Sequence, residues 1–486
     1  MIPLGPSHES ILGSTGGRSV GRGPGRQRFV HLNRKQRRIA VCFRGHVLVA
    51  CTLILFISTH GVALGQVTFT TTPTQQPLEP LAPSVYTGRP DLFAAPGKGD
   101  EGLPIGNWLV FPSMFGGALF ATNPSESPTG GRASPGFRYN TSTYAQTDDG
   151  PWKTVLYTNT DLDLYANQGG SAGTSSNFLS TRTGAIETYQ PLSDLIMNLQ
   201  GDLTRQENYF SPLGISNNLS SLNPTGVGVA PTATPLPYTQ LSATASVQKN
   251  VANAFIIGSG SVVNLTYDNS TTIAAPSPNG QTYTASLRGG YYIIPDIYGY
   301  LETTLDDRSY ATTALSSWGY RTVAGLGSDR IGLFRGELYA GYQAENYQSA
   351  SVGSAAGPVL GARGAYFPLP ELTINASADE TIGASLLSAT PTSPAGTSTK
   401  VTTFLTQANY ALAPEWTATG RGGLALTSYG SNPRQDTAWT AGFTITYSVW
   451  RSLGLTFDYQ HTALVSNVPL AGFSNDAVSL GVSYKY

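Results

Sequence analysis

The sequence predicts an all-β chain, a transmembrane antiparallel β-barrel of about eighteen strands with sixteen as the alternative. Three observations predict it. No apolar stretch reaches the roughly 18 to 20 residues of a spanning helix. From Gly106 onward the chain is a succession of strand-length segments bounded by turn residues. And the closing stretch, Ser474 to Tyr486, alternates with period two: Val478, Leu480, Val482, Tyr484 and Tyr486 share one face, Ser479, Gly481, Ser483 and Lys485 the other. Successive side chains of a strand point to opposite faces, so one face suits lipid and the other water. The aromatics Tyr484 and Tyr486 suit the interface girdle of such a strand.

The elements follow in order. Residues 1–33 are basic and Gly-rich and lie upstream of the leader, as expected of a start assigned too early. Residues 34–65 read as a cleaved signal peptide: Arg34, Lys35, Arg37, Arg38 and Arg44, then the uncharged core Val47 to Ser58, then Ala63-Leu64-Gly65 before Gln66. Leu48 to Cys51 spells a lipoprotein box, but the apolar core continues past it, and cleavage before Gln66 is the expectation. Residues 66–104, with Pro73, Pro77, Pro80, Pro83, Pro90 and Pro96, read as an extended periplasmic linker. The barrel occupies 105–486, with strands expected at 106–121, 135–145, 152–166, 180–188, 192–208, 237–250, 253–268, 281–293, 296–310, 318–328, 330–347, 357–367, 371–386, 399–411, 414–428, 437–448, 453–465 and 474–486.

The connections carry the topology. Counting back from Tyr486, short turns fall at 449–451, 413–414, 368–370, 328–329, 294–295 and 250–252, and between them lie long, small and polar segments, 466–473, 429–436, 387–398, 348–356, 271–280 and 209–236. A barrel with both ends in the periplasm needs short turns on that side and longer loops outside. A soluble sandwich gives no reason for this alternation.

Removal of the leader narrows the chemistry. Both cysteines (Cys42, Cys51) and four of five histidines lie before Gln66, leaving only His461 and no thiol. Nine of 28 Lys+Arg and one of 29 Asp+Glu also precede Gln66, leaving 19 against 28, a net −9. Nucleic-acid binding is disfavoured, because phosphate contacts need concentrated Lys and Arg. No cofactor and no metal site is expected. His461 is the only imidazole left as a general base, and Asp458, three residues away on a strand, falls on the opposite face, so no catalytic dyad and no enzyme is expected. The acidic pairs Asp306-Asp307 and Asp148-Asp149 read as solvated turns.

Strand parity assigns Arg288, Arg321, Arg335, Glu337, Arg363, Arg421 and Asp458 to the lumen. An arginine facing lipid at mid-depth costs roughly 2–4 kcal/mol. The lumenal charges could form a transverse field that selects solutes; mutual ion pairs bracing the wall are the favoured expectation. Trp318, Tyr339, Trp416, Trp439, Trp450 and Tyr459 are expected to anchor the interfaces, and Tyr292, Tyr298 and Tyr300 form the one cluster whose parity allows a sugar-stacking path.

The run Ile105-Gly106-Asn107-Trp108-Leu109-Val110-Phe111-Pro112-Ser113-Met114 resembles the opening of the putative beta-barrel porin-2 family. Tyr298 to Tyr310 and Gly341 to Tyr347 are similar to its middle strands, and Asp458 to Thr462 with Asn475 to Tyr486 to its closing hairpin, over about 103–486. Asn123-Pro124 departs from the acidic pair often found there. The resemblance implies a porin-like barrel of the bacterial outer membrane, without fixing a substrate. The expected partners are outer-membrane lipid, the barrel-insertion machinery and small polar solutes or polysaccharide. Passive passage of small polar solutes is the leading expectation. The alternatives are a conduit for exopolysaccharide export and a non-conducting surface barrel that binds a partner through its long loops, with 209–236 as a candidate plug.

Overall fold

The computed structural model describes residues 102–126, 131–166, 177–208, 236–268, 279–311, 316–349, 354–385, 397–430, 432–467 and 472–486. They form nineteen strands: β1 (Leu103–Ile105), β2 (Trp108–Ala121), β3 (Ser134–Asp149), β4 (Trp152–Tyr165), β5 (Phe178–Leu192), β6 (Leu195–Asn208), β7 (Leu236–Val251), β8 (Ala254–Tyr267), β9 (Gly280–Ile294), β10 (Ile297–Tyr310), β11 (Ser317–Ile331), β12 (Phe334–Tyr347), β13 (Ala355–Leu369), β14 (Leu372–Ser385), β15 (Thr397–Ala413), β16 (Trp416–Tyr429), β17 (Asn432–Trp450), β18 (Leu453–Ser466) and β19 (Phe473–Lys485). From β2 onward each strand pairs antiparallel with the next, and β19 returns to β2, with Lys485 opposite Ser113 and Ala477 opposite Ala121. The result is a closed barrel of eighteen strands, which leaves no free edge. The short β1 turns back through Gly106, whose φ is +65°, and pairs with the start of β2 below the end of β19.

Alternation makes the two walls. The outer face carries Leu156, Leu199, Ile256, Leu287, Leu301, Leu338, Leu360, Phe404 and Leu480, all exposed. The other face carries buried polar residues such as Arg138, Gln200, Arg288, Glu337 and Asp458. Side chains of the second set meet across intervening strands, as Arg288 of β9 meets Glu337 of β12. Only on the concave side of a barrel do side chains converge in this way, so this set lines the interior.

Two sequence expectations are corrected. The turn expected at Ser328-Asp329 lies at Gly332-Leu333, where Gly332 takes φ +60°, and β11 runs on to Ile331. Asp329 is buried and accepts a hydrogen bond from the Tyr292 hydroxyl at 2.8 Å, so its polarity serves the inner wall rather than a turn. The long loop expected over 429–436 is instead a tight hairpin, with β17 starting at Asn432 and a register shift beside Tyr429. Asp436 holds that end together, accepting from the Tyr429 hydroxyl at 2.8 Å and from Arg434 Nε at 2.9 Å. The strict alternation of short and long connections fails at this one hairpin. The remaining two-residue turns among the described residues connect β1 to β2, β3 to β4, β5 to β6, β7 to β8, β9 to β10, β13 to β14, β15 to β16 and β17 to β18, all at one end of the barrel, the end where β2 begins and β19 finishes.

Inside, Phe255, Tyr298, Tyr300, Val323 and Val359 form an apolar cluster against which Tyr292 and Tyr339 pack. Its rings lie flat against the wall because the residue opposite each one is glycine: Phe255 faces Gly290, Tyr298 faces Gly327, Tyr300 faces Gly325 and Tyr339 faces Gly361. A Cβ added at Gly327 would fall within the Tyr298 ring, whose hydroxyl is tied to Glu337. Gly327→Val is therefore expected to cost about 1–3 kcal/mol through overpacking. Gly289→Val, where an added Cβ meets nothing, is expected to be neutral. The check is the temperature at which each folded barrel loses its compact, detergent-resistant migration; equal temperatures would remove the ring-on-glycine account.

Candidate functional site

The inner wall is organised into charge clusters. In the first, the Glu337 carboxylate accepts from Arg363 Nη2 at 2.6 Å, Arg288 Nη1 at 3.2 Å, the Tyr298 hydroxyl at 2.9 Å and the Tyr300 hydroxyl at 3.3 Å. Arg288 also donates from Nε to Glu302 at 2.6 Å, and its guanidinium lies 4.3 Å from the centre of the Tyr300 ring. Arg335, two residues before Glu337 on β12, is partly buried on the same face, opposite the buried Ala365.

A second cluster crosses the closure of the barrel. Arg138 of β3 donates to both oxygens of Asp163, at 2.7 and 2.9 Å, and approaches Asp458 of β18 to 3.9 Å and Ser479 of β19 to 3.5 Å. Asp458 in turn accepts from Arg421 Nη2 at 2.6 Å, while Arg421 Nε donates to Gln460 at 2.7 Å. Charges alternate along Asp163, Arg138, Asp458 and Arg421, and all four are at most 6% exposed. Elsewhere Arg321 Nη2 donates to Asp379 at 2.9 Å, Arg182 Nε to Asp202 at 2.7 Å, and Arg308 lies 2.8 Å from Asp306 and 3.3 Å from Glu345.

The structure thus places the seven charges assigned by parity on one continuous inner wall but distributes them among separate clusters. Arg288, Glu337 and Arg363 come together, Arg421 meets Asp458, and Arg321 stands apart with Asp379. Sequence reasoning missed Arg138, Asp163, Arg182, Asp202 and Arg308. A usable signal was present at Arg138, which sits between the outward Phe137 and Tyr139.

The aromatic expectations divide. Trp152 stacks on Tyr189 at 4.0 Å and Trp416 packs tilted against Tyr447 at 4.7 Å at the short-turn end, and exposed Trp318 and Trp450 lie at strand ends. Tyr339 is no interface anchor: it sits mid-strand on the inner wall, its hydroxyl on Asp379 and its ring beside Arg321. Tyr292, Tyr298 and Tyr300 do converge, with ring centres 5.4 and 6.2 Å apart, but Tyr298 is 0% exposed and all three hydroxyls are taken by carboxylates. A stacking lane needs exposed ring faces, and this cluster does not offer them.

His461 and Asp458 lie on opposite walls. The imidazole faces outward, stacked on Trp439 at 4.4 Å, with Nδ1 2.7 Å from Asp476. Asp306 and Asp307 likewise point to opposite faces of β10 rather than forming a turn. Asp148-Asp149 closes β3. Tyr484 pairs with Leu453 and Met114, and the Tyr486 amide donates to Pro112 O at 3.2 Å, so the closing aromatics are held at the seam. The leader, most of the linker and the segment 209–235 lie outside the described residues.

A family model described as Putative beta-barrel porin 2 matches residues 95–486. No curated protein matches the chain. Among solved structures, it is similar to OccK9 (OpdG) of Pseudomonas aeruginosa, with 11% identity, TM-score 0.42 and coverage of 78% of this chain and 99% of that one. It is also similar to the outer membrane channel DcaP of Acinetobacter baumannii, with 13% identity, TM-score 0.41 and coverage of 78% and 97%. An anion-selective porin from Comamonas acidovorans matches at 10% identity and TM-score 0.34, over 78% and 99%.

Proposed function

The chain belongs to the Putative beta-barrel porin 2 family, a porin-like barrel of the outer membrane, and from that premise we propose that it passes small polar solutes passively, with little discrimination by charge. The observation that carries this reading is the self-neutralised inner wall. Arg138, Arg182, Arg288, Arg308, Arg321, Arg363 and Arg421 each stand against a carboxylate, and neutral donors and acceptors such as Gln240, Ser242, Thr244, Ser246 and Gln248 line β7 between them. Among the described residues a solute meets hydrogen-bonding groups along the wall but no long lane of one charge, so field-based ion selection is weak. The buried state of Tyr298 and Tyr300 leaves the cluster on β9 and β10 without a stacking surface for a polysaccharide.

The test is single-channel recording of the refolded protein in a planar bilayer, joined to liposome swelling with neutral sugars. Steady openings with a reversal potential near zero in a salt gradient, and swelling that slows as the sugar grows, are the expected results. A folded, heat-modifiable barrel that neither conducts nor admits sugar would overturn the reading.

A further inference from the structure

The circuit of eighteen strands is closed, but one of its ladders runs only part of its length. β13 and β14 pair from their turn up to Gly361–Asp379, and beyond it residues 355–360 and 380–385 make no ladder pair with each other. Both segments keep their other partners, β12 and β15. The neighbouring ladder of β15 and β16 runs on from Ala411–Thr417 to Thr399–Tyr429.

The break is written into the sequence. Continued register would set Pro358 opposite Ile382, and proline has no N–H to give. The Gln343 side-chain amide stands in for that backbone: Nε2 donates to Ile382 O at 3.1 Å, and Oε1 accepts from Ile382 N at 3.2 Å. Gln343 reaches Ile382 past its own ladder partner, Gly357, which puts no side chain in the way. Strands two places apart in a sheet lie roughly 9.5 Å from each other, yet β14 comes within 8 Å of β12. The outer half of β14 has therefore turned inward from the wall. Val359 agrees with this, being 0% exposed although Gly341, Gly357 and Gly361 are its neighbours on the inner face.

We propose that this break is a side opening, latched by Gln343, through which small molecules with an apolar body pass between the lumen and the membrane. Backbone groups left unpaired beside hydrocarbon are costly, so a wall parts there only where protein or water covers it. The parting begins within the apolar band, since Leu360 and, one row below it, Leu338 are outward and exposed. Its lips select the passenger. Residues 355–362 and 381–385 carry no charge, and Val359 belongs to the apolar cluster of Phe255, Ile257, Tyr298, Tyr300 and Val323. The charges at the lower end are already held, Asp379 by Arg321 and Glu380 by Lys400. An ion would shed its water between these lips without gaining a partner, whereas an alkyl or aryl body has no such cost.

The test follows phenylnaphthylamine, which fluoresces on entering lipid, added to cells with the full chain assembled in their outer membrane. Pro358→Cys/Ile382→Cys in a C42S/C51S background, which leaves no other thiol, is joined by a short reducible thiosulfonate linker. Linking is expected to abolish the dye entry that the barrel adds, and reductant to restore it. The same linker on an intact ladder, at Leu301→Cys/Ala324→Cys, is expected to change nothing. Gln343→Leu, which removes the latch, is expected to speed dye entry. Entry that does not depend on the barrel, that the linker at Pro358→Cys/Ile382→Cys leaves unaltered, or that Gln343→Leu leaves unaltered would each overturn the proposal. Sugar-driven liposome swelling is expected to be equal in the linked and reduced barrels, so failure of the side opening leaves the passage reading standing. A linker that slows sugar and dye alike would show one common pore and no side opening.

Discussion

Glu337→Leu is expected to destabilise the barrel by about 3 kcal/mol, the lower end of the ~3–5 kcal/mol that breaking a buried ion pair costs. The substitution removes the acceptor shared by Arg288, Arg363, Tyr298 and Tyr300. Arg288 keeps Glu302, and Arg363 retains 28% exposure, so neither guanidinium is wholly stranded, and the lower figure applies. Glu337→Gln separates bracing from field. The amide keeps the shape and still accepts from the hydroxyls, but the wall gains one net positive charge. A unit charge about 10 Å from an ion in water is worth ~0.4 kcal/mol, so the permeability ratio is expected to move about twofold towards anions at low salt. High salt should erase the shift, because the screening length falls to roughly 3 Å at 1 M. The measurement is the reversal potential of single channels in a salt gradient at both ionic strengths. A folded Glu337→Gln channel with an unaltered reversal potential at low salt would mean that this cluster braces the wall without touching the permeating ion.

The strand plan was readable because a barrel repeats one rule: alternate faces, turn, alternate again. Strands such as β10 and β18 lie within a residue of their expected bounds for this reason. The errors fall where polarity has two meanings. Ser328-Asp329 looks like a turn in a sequence, yet a polar residue within a barrel strand can equally line the interior, and Asp329 does. Asn432 to Gln435 looks like a loop, but Asp436 gathers Tyr429 and Arg434 and carries the hairpin out to its tip. The inner clusters were the least readable part. Parity gives the face of a side chain but not its height, and the clusters join residues two or three strands apart, such as Arg321 to Asp379. Those meetings depend on strand tilt and stagger, which no local pattern encodes. Tyr339 shows the same limit: an aromatic near the interface and one laid over Gly361 on the inner wall are alike in sequence.

Arg138→Ala is expected to have the largest effect on stability, about 3–5 kcal/mol, and to act at the closure of the barrel. Asp163 is 0% exposed and loses a bidentate partner, and Asp458, 1% exposed, keeps Arg421 and the Thr444 hydroxyl. The position matters as much as the burial. The β2–β19 ladder stops at Ser113–Lys485, whereas β2–β3 continues down to Leu109–Gln146, so the seam has less backbone hydrogen bonding than its neighbour. Arg138 compensates from within by reaching over β2 to Ser479 and Asp458. Without it the seam should be the first ladder to part on heating. A disulfide across that ladder, Ala118→Cys with Leu480→Cys, should then restore the heat resistance of Arg138→Ala. One across an equivalent pair elsewhere, Leu301→Cys with Ala324→Cys, should not. If both disulfides rescue equally, Arg138 stabilises the barrel as a whole rather than its closure. If neither does, the loss lies in the buried charge of Asp163 left without its guanidinium, and Arg138→Ala/Asp163→Ala should recover the heat resistance that the single substitution loses.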